Sequence, residues 1–580
     1  MKSFQKYIKS GLGASFALTL TVGAMSSCSD SYMSDLNTDD SKAMSIDPNA
    51  QLTTSLLQTY GDFSLMDTYR SYITGFTQHF AGGWNVTNYA GSVHAFDDQT
   101  RLIWDRYYTV SIKNMEDAIS KTSEKPNINA LLRIHKVYLM SVLTDTYGDV
   151  PCFNVGQGYM KGENNPAYDK QEDIYQWFFD ELSLCESQLN AVGDRITGDV
   201  TSMNGDVAKW KKYCNSLRMR FAMRISDVKP ELAREQFEKA LASENGYIAE
   251  ASDDAYIKYL DQPFTLYKGA EKYDFRANAL SEILYGQDPT SPTFVSSTFY
   301  NIMKDSNDPR LYRICRHYIN TTRSEIRADE AGNFDLTDEV VQYLKDNGLS
   351  ESPCDPGAAW YNNWINAPAT KNIPTLQLLV DQNPAAGYDK NNFPARMMRL
   401  FLSIDFEKGQ NPGILFTSAE AEFLLAEAKI KGWNVEGSAD EHYEAGVRAS
   451  MKLLNTHYLK EKDLINDAEI AAFIAANQLG ENPKETINTQ AWILHMTNPA
   501  EAWSNLRRSD YPVLMDRTKL PTFPDFTYDD PDRSTPTRLK YPILEARYNS
   551  ENYKEALERL GGTDDWHQRN WWDTADINVK

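Results

Sequence analysis

Helical periodicity dominates this chain and predicts a mainly α protein, an α-solenoid frame of helical hairpins carrying a loop-rich, aromatic-containing insertion. Three observations carry that reading. Apolar residues recur at three- and four-residue steps along most of the length, as they do on the buried face of a helix. The periodic segments come in neighbouring pairs with short connections, the antiparallel unit from which solenoids are stacked. Between Tyr256 and Leu400 the pattern fails, cut by Pro263, Pro289, Pro292, Pro309, Pro353, Pro356 and Pro368 and by Gly269, Gly286 and Gly357.

Taken in order, the first helical stretch runs from Thr100 to Lys121, with Leu102, Ile103, Tyr107, Val110, Asn114 and Ala118 near one face. Asn127 to Tyr147 follows, carrying Leu131, Ile134, Val137, Tyr138, Met140 and Leu143; there Gly148 offers a left-handed cap and Pro151 blocks continuation. Further helices are predicted over Ile174 to Ala191, Asp206 to Asp227 and Pro230 to Ser243, where Pro230 opens a helix because its missing amide donor costs nothing there. The clearest hairpin joins Glu420 to Trp433 with Asp440 to Leu454. Its small residues Ala426, Ala428, Ala445, Gly446 and Ala449 let two helices approach closely, so it resembles a degenerate tetratricopeptide unit. The frame is therefore tetratricopeptide-like, and the middle of the chain is an insertion of loops and a few short strands held on it. A rigid frame bearing irregular loops is the usual arrangement of a binding site.

The amino terminus speaks about location. Lys2, Lys6 and Lys9 are followed by an uncharged apolar run from Gly11 to Ala24, too short to span a bilayer. Small residues Ser26 and Ser27 then precede Cys28 and the acidic stretch containing Asp30, Asp35, Asp39 and Asp40. This resembles a bacterial lipoprotein signal, with Met25 and Ser27 as departures from the usual residues; the alternative is an ordinary cleaved secretory signal. Both export the protein. If Cys28 becomes the acylated N-terminus, several acyl chains tether the chain stably to a membrane that it never crosses. The expected organisation is a signal peptide over residues 1–27, a flexible tether over 28–45 and one helical domain over 46–580. Within that domain the loop-rich ligand-binding subregion covers about 256–400 and the C-terminal hairpins about 413–510.

Charge and cysteines narrow the classes. The formal charge of −22 becomes −25 once the signal, with three lysines and no acids, is removed. Nucleic acid and anionic ligands are poor partners for such a surface. The five cysteines after Cys28, at positions 152, 185, 214, 315 and 354, show no metal-like spacing and cannot all pair. They read as buried small apolar residues, with one disulfide left open. No cofactor or metal is expected. The sequence has no G-x-S-x-G, H-E-x-x-H, P-loop or G-x-G-x-x-G, so no catalytic residue is assigned and the protein reads as no enzyme. Adjacent acids such as Asp97-Asp98 and Asp564-Asp565 could serve glycoside hydrolysis but suit solvated turns better. The acid-rich loop Tyr528 to Asp532 fits no defined calcium site.

Several strings, in this order, resemble the SusD/RagB family of nutrient-binding outer-membrane lipoproteins, in its SusD-like branch. They are Leu143 to Pro151 (LTDTYGDVP), Trp210 to Arg220 (WKKYCNSLRMR), Ala421 to Ala428 (AEFLLAEA), Ala502 to Pro512 (AWSNLRRSDYP), Arg538 to Pro542 (RLKYP) and Trp571-Trp572-Asp573. Their physics is that of scaffold: Trp503, Arg507 and Arg508, within a turn of one another, suit a packed aromatic with guanidinium pairs to acids. The resemblance implies four tetratricopeptide-like helical pairs and a cell-surface lipoprotein that lids a SusC-type TonB-dependent outer-membrane transporter. It implies capture of an oligomeric nutrient, either oligosaccharide or peptide. A glycoside hydrolase and a purely structural adaptor are the less favoured classes.

Two aromatic clusters outside helical periodicity are the candidate ligand surface. The first is Trp84, Asn85 and Tyr89 between glycines that free the backbone to hold the rings out, with Phe96 and Arg101 following. The second is Trp360, Tyr361 and Trp364 with Asn362 and Asn363. Exposed rings give contact area to the C–H faces of sugars, and amides and guanidinium set orientation. Either cluster could instead be buried packing of the insertion.

Overall fold

Prolines and short polar side chains decide where the helices of this protein begin. In the computed structural model the described residues are 46–82, 86–91, 93–262, 274–284, 293–316, 400–520, 528, 530 and 533–574. The sites proposed at Cys28, Trp84, Asn85, Trp360, Tyr361 and Trp364, and Cys354, lie outside them. Helix α1 (Pro48–Gly61) starts on a proline with the Asp47 carboxylate accepting from the Asn49 amide at 2.9 Å. Proline also opens α2 (Pro126–Tyr147), while α3 (Gln171–Gln188) carries Glu172 and Asp173 in its first turn. Asp206 caps α4 (Val207–Arg224), and Pro230 opens α5 (Pro230–Leu241), as the sequence predicts. Thr417 caps α6 (Ser418–Ile430), and a reciprocal Ser438/Glu441 capping box starts α7 (Ala439–His457). A second box, Asn466/Glu469, starts α8 (Asp467–Ala476). Asn482 and Asn498, each followed by proline, cap α9 (Pro483–Leu494) and α10 (Pro499–Ser509), and α11 (Ser550–Arg559) lies near the end.

These helices pack as antiparallel neighbours. α2 lies on α3, α4 on α5 and α6 on α7, while α3 meets α4 and α6 meets α9, so hairpin follows hairpin. The α6/α7 pair can approach closely because Gly446 has no side chain: a β-carbon there would sit 2.6 Å from the Phe423 ring. A satellite core of Phe423, Tyr443, Met451, Phe473 and Ile487 fills the space between α6, α7, α8 and α9, beside the larger core of the frame.

Two local details depart from expectation. The stretch 100–121 is helical as predicted from Leu102 to Ser120, but between Leu102–Arg106 and Lys113–Ser120 its middle, Tyr107–Ile112, widens to i to i+5 bonding. The Thr109 hydroxyl donates to the Asp105 carbonyl at 2.6 Å, competing for an acceptor of the regular ladder. Gly148 has φ +90° as a glycine cap should, but its ψ of −128° is not left-handed helical, so the chain leaves extended toward Pro151.

The loop-rich middle is clamped at its base. Strand β2 (Ala255–Ile257) pairs antiparallel with β6 (Gly413–Phe416), Tyr256 facing Ile414, so the insertion leaves and rejoins the frame at one place. A four-stranded sheet of order β1-β3-β5-β4 joins its described pieces: β1 (Phe80–Gly82), β3 (Thr293–Val295), β4 (Cys315–Arg316) and β5 (Phe401–Leu402). Phe80 faces Val295, and Phe294 faces Phe401. The strand that feeds the first aromatic cluster thus shares a sheet with the insertion. Cys152, Cys185, Cys214 and Cys315 are buried. Burial pushes the Cys185 thiol up to about 12, so it behaves as a small apolar group.

Candidate functional site

The strings that stand out in the sequence converge in the interior. Arg220 of α4 forks onto Glu420 of α6 at 2.6 and 2.7 Å, and Arg224 reaches both oxygens of Glu501 at 2.7 and 2.6 Å. Arg508 of α10 forks onto Glu427 at 2.6 and 2.7 Å. Asp145 accepts from the Tyr175 hydroxyl at 2.7 Å and the Trp572 indole at 3.0 Å. Arg507 departs from the expected acid pairing: it donates to the carbonyls of Asp145 and Thr537, both at 2.7 Å, with its guanidinium 3.8 Å from the Trp503 ring centroid. Burial pushes the Glu420 and Glu427 carboxyls up, yet the guanidinium of Arg220 and of Arg508 outweighs it and holds each at about 2. A small polar cavity lined by Tyr138, Ser141, Asp145, Arg220, Asn498 and Glu501 sits in this network. These groups lock helices together and present nothing to a ligand.

The first aromatic cluster is different because it reaches the surface. Tyr72 stacks on Tyr89 with centroids 5.5 Å apart and planes within 9°, and Tyr89 stacks on Phe96 at 5.5 Å and 20°. Behind Tyr72 stands the buried Trp566 at 6.1 Å. The result is a ladder of four rings from the core outward. Tyr89 is only 8% exposed and Phe96 is 39% exposed. The expectation that the glycine-flanked loop holds Tyr89 out is corrected: both faces of its ring are taken, and its part is to back Phe96. The backbone is fixed around it, since the Tyr72 hydroxyl donates to the His94 carbonyl at 2.7 Å and Arg517 donates to the Gly91 carbonyl at 3.2 Å.

Arg101 stands close by but is committed to its own helical turns. Its guanidinium lies 3.7, 3.1 and 3.2 Å from Asp97, Asp98 and Asp105. Burial pushes the Asp105 carboxyl up, with Arg101 opposing. The adjacent acids read as candidate general acids are likewise in structural use. Asp97 accepts from the Ile543 amide at 2.9 Å, and Asp564 pairs with Arg538 and accepts from the Tyr541 amide at 3.0 Å. In the acid-rich loop weighed for calcium, Asp530 pairs with His567. Among the described residues no group of three or more His, Cys, Asp or Glu is placed to hold a metal ion.

The contact between Asp97 and Ile543 brings in a segment that the sequence reading passed over. Beside Phe96 the turn 543–548 leaves Ile543, Leu544 and Tyr548 exposed. Its only local signal is a pair of large apolar residues after Pro542, outside any helical period.

With this geometry in view, comparison with known proteins is decisive. Residues 42–351 match the family described as "Starch-binding associating with outer membrane", and residues 385–573 match "Susd and RagB outer membrane lipoprotein". The chain belongs to the SusD/RagB family. A solved Bacteroidetes SusD-like protein, AC2a, is 37% identical, with 91% of this chain and 100% of that one covered and a TM-score of 0.81. A solved chitin-binding protein is 30% identical over 91% of this chain and 100% of its own, at TM-score 0.72. A chitin-binding SusD homologue from Flavobacterium johnsoniae, 21% identical over 91% of this chain and 99% of its own at TM-score 0.64, shares the fold. No curated protein matches. The tetratricopeptide-like helical frame is that of SusD-like structures. The family is one of outer-membrane lipoproteins, and among the described residues no helix is long and apolar enough to cross a membrane.

Proposed function

We propose that this SusD-like protein captures oligosaccharides at the cell surface and passes them to a SusC-type TonB-dependent transporter for import, without cleaving them. The observation that carries the reading is the ring ladder ending in the partly exposed Phe96, which follows Trp84 and Asn85 in the sequence. A ring held rigidly from behind meets the apolar C–H face of a sugar without losing conformational freedom of its own. Strand β1, which precedes Tyr89 and Phe96 in the chain, shares its sheet with strands β3, β4 and β5, which flank in sequence the segment that carries Trp360, Tyr361 and Trp364. We assign ligand contact to Trp84, Asn85, Phe96, Trp360, Tyr361 and Trp364, support to Tyr89, and a positioning role at the rim to Arg101. The 30% identical relative that binds chitin supports a glycan ligand over a peptide. Acylated Cys28 anchors the chain in the outer membrane.

The test is calorimetric titration of the soluble chain beginning at Ser29 with chito-, malto- and cello-oligosaccharides, and with mixed peptides. Binding of one glycan series, weakened by Trp84→Ala and by Trp360→Ala at unchanged melting temperature, is the expected result. Peptide binding without glycan binding overturns it. Products of the bound glycan stay uncut; cleavage that survives repurification and tracks with one carboxylate would move the protein to the hydrolases. Cys28→Ala abolishes acyl labelling and membrane fractionation.

A further inference from the structure

We propose that the turn 543–548 forms a second sugar-ring subsite beside Phe96, with Tyr548 as its stacking group and Arg547 and Asn165 as its polar neighbours. The inference rests on the capture reading above and extends it along the surface. Tyr548 is 63% exposed and Ile543 69%, unusual for side chains of this size on a segment so firmly held. The Ile543 amide is fixed on Asp97, the residue after Phe96, at 2.9 Å. Glu545 accepts from the Tyr168 hydroxyl at 2.7 Å, and Asn549 donates to the Pro166 carbonyl at 2.9 Å. Asn165 donates to the carbonyl of Tyr548 itself. The ring is therefore exposed but pre-positioned, the combination that keeps the entropic cost of binding low.

The side chains around the ring are polar. The Arg547 guanidinium lies 5.3 Å from the Tyr548 ring centroid, and Asn165 is exposed next to it. Donors flanking an exposed aromatic are what ring hydroxyls require. Glu545–Tyr548 is one helical turn, which keeps Tyr548 only a few residues' rise from the Ile543 amide that is fixed on Asp97, beside Phe96. A protein partner fits less well. Phe96, Ile543, Leu544 and Tyr548, at up to about 200 Å² each and roughly half exposed, offer about 400 Å², against about 800 Å² per partner in a standard interface. An anionic membrane surface is disfavoured by the −22 charge of the chain.

The test compares chitobiose with chitohexaose, and with malto- and cellohexaose, on wild type, Phe96→Ala, Tyr548→Ala and Tyr548→Phe. Tyr548→Ala is expected to weaken hexaose binding about fivefold and leave disaccharide binding unchanged, while Tyr548→Phe binds as wild type. Melting temperatures of all four stay together. Hexaose affinity unchanged in Tyr548→Ala but weakened in Phe96→Ala overturns the subsite and leaves capture standing. Unchanged hexaose affinity with loss of transporter co-purification assigns the turn to protein docking and also overturns it. A wild type that binds no hexaose in the panel overturns capture and the subsite together.

Discussion

The buried ionic network and the exposed ring ladder use the same residue types, arginines, acids and aromatics, to opposite ends. In the network the ion pairs tie one helix to another: Arg220 to Glu420, Arg224 to Glu501, Arg508 to Glu427. In the ladder three rings are spent on positioning a fourth, Phe96, which stays 39% exposed. The difference teaches that the strings by which this family is recognised are spent on holding helices together. A ligand surface tolerates change ring by ring, while a buried pair fails if either partner is lost.

The sharpest way to break the comparison is to remove one partner of a buried pair. Arg508→Ala leaves the Glu427 carboxylate buried without its guanidinium and is expected to cost about 3–5 kcal/mol, read as a lowered urea midpoint. If stability is unchanged, the network is not what holds α6 to α10. Acid comes next. Glu420 and Glu427 sit at about 2 in the folded protein against 4.5 unfolded. Because the folded values are depressed, their stabilisation is complete above about pH 4.5 and is lost as pH falls toward 2. Each contributes on the order of 3 kcal/mol, so urea midpoints should fall steeply across that window. At the ladder, Phe96→Ala should cost less than about 1 kcal/mol of stability yet weaken glycan binding about fivefold. A large melting loss would instead make Phe96 a core residue. The smallest effect has the opposite pH sign. A hydrogen bond to Glu422 raises the His442 imidazole above its ordinary value, so its stabilisation is present below about pH 6.5 and fades as pH rises through the raised value. His442→Gln should flatten that slope between pH 6 and 8 in the same urea series.

Helix positions were readable because their determinants are local. Apolar spacing, Pro230 at a helix start and the small residues of the α6/α7 hairpin act within a few residues of one another. Where a side chain competes with the backbone, as Thr109 does, periodicity alone predicts the helix but not the wide turn in its middle. The Trp503 and Arg508 pairings were legible as scaffold. That Arg507 serves carbonyls was not, because Asp145 and Thr537 reach it from hundreds and tens of residues away.

The sequence by itself determined the helical frame and the family. Only the tertiary structure decided which ring of the first aromatic cluster meets solvent. Tyr89 and Phe96 are both large aromatics near the same glycines, and nothing local distinguishes them. Tyr72 arrives from an earlier helical turn, covers Tyr89 and leaves Phe96 uncovered, and the turn 543–548 arrives from the far end of the chain to stand beside it. Exposure is set by what packs from elsewhere, and packing partners distant in sequence leave no local pattern.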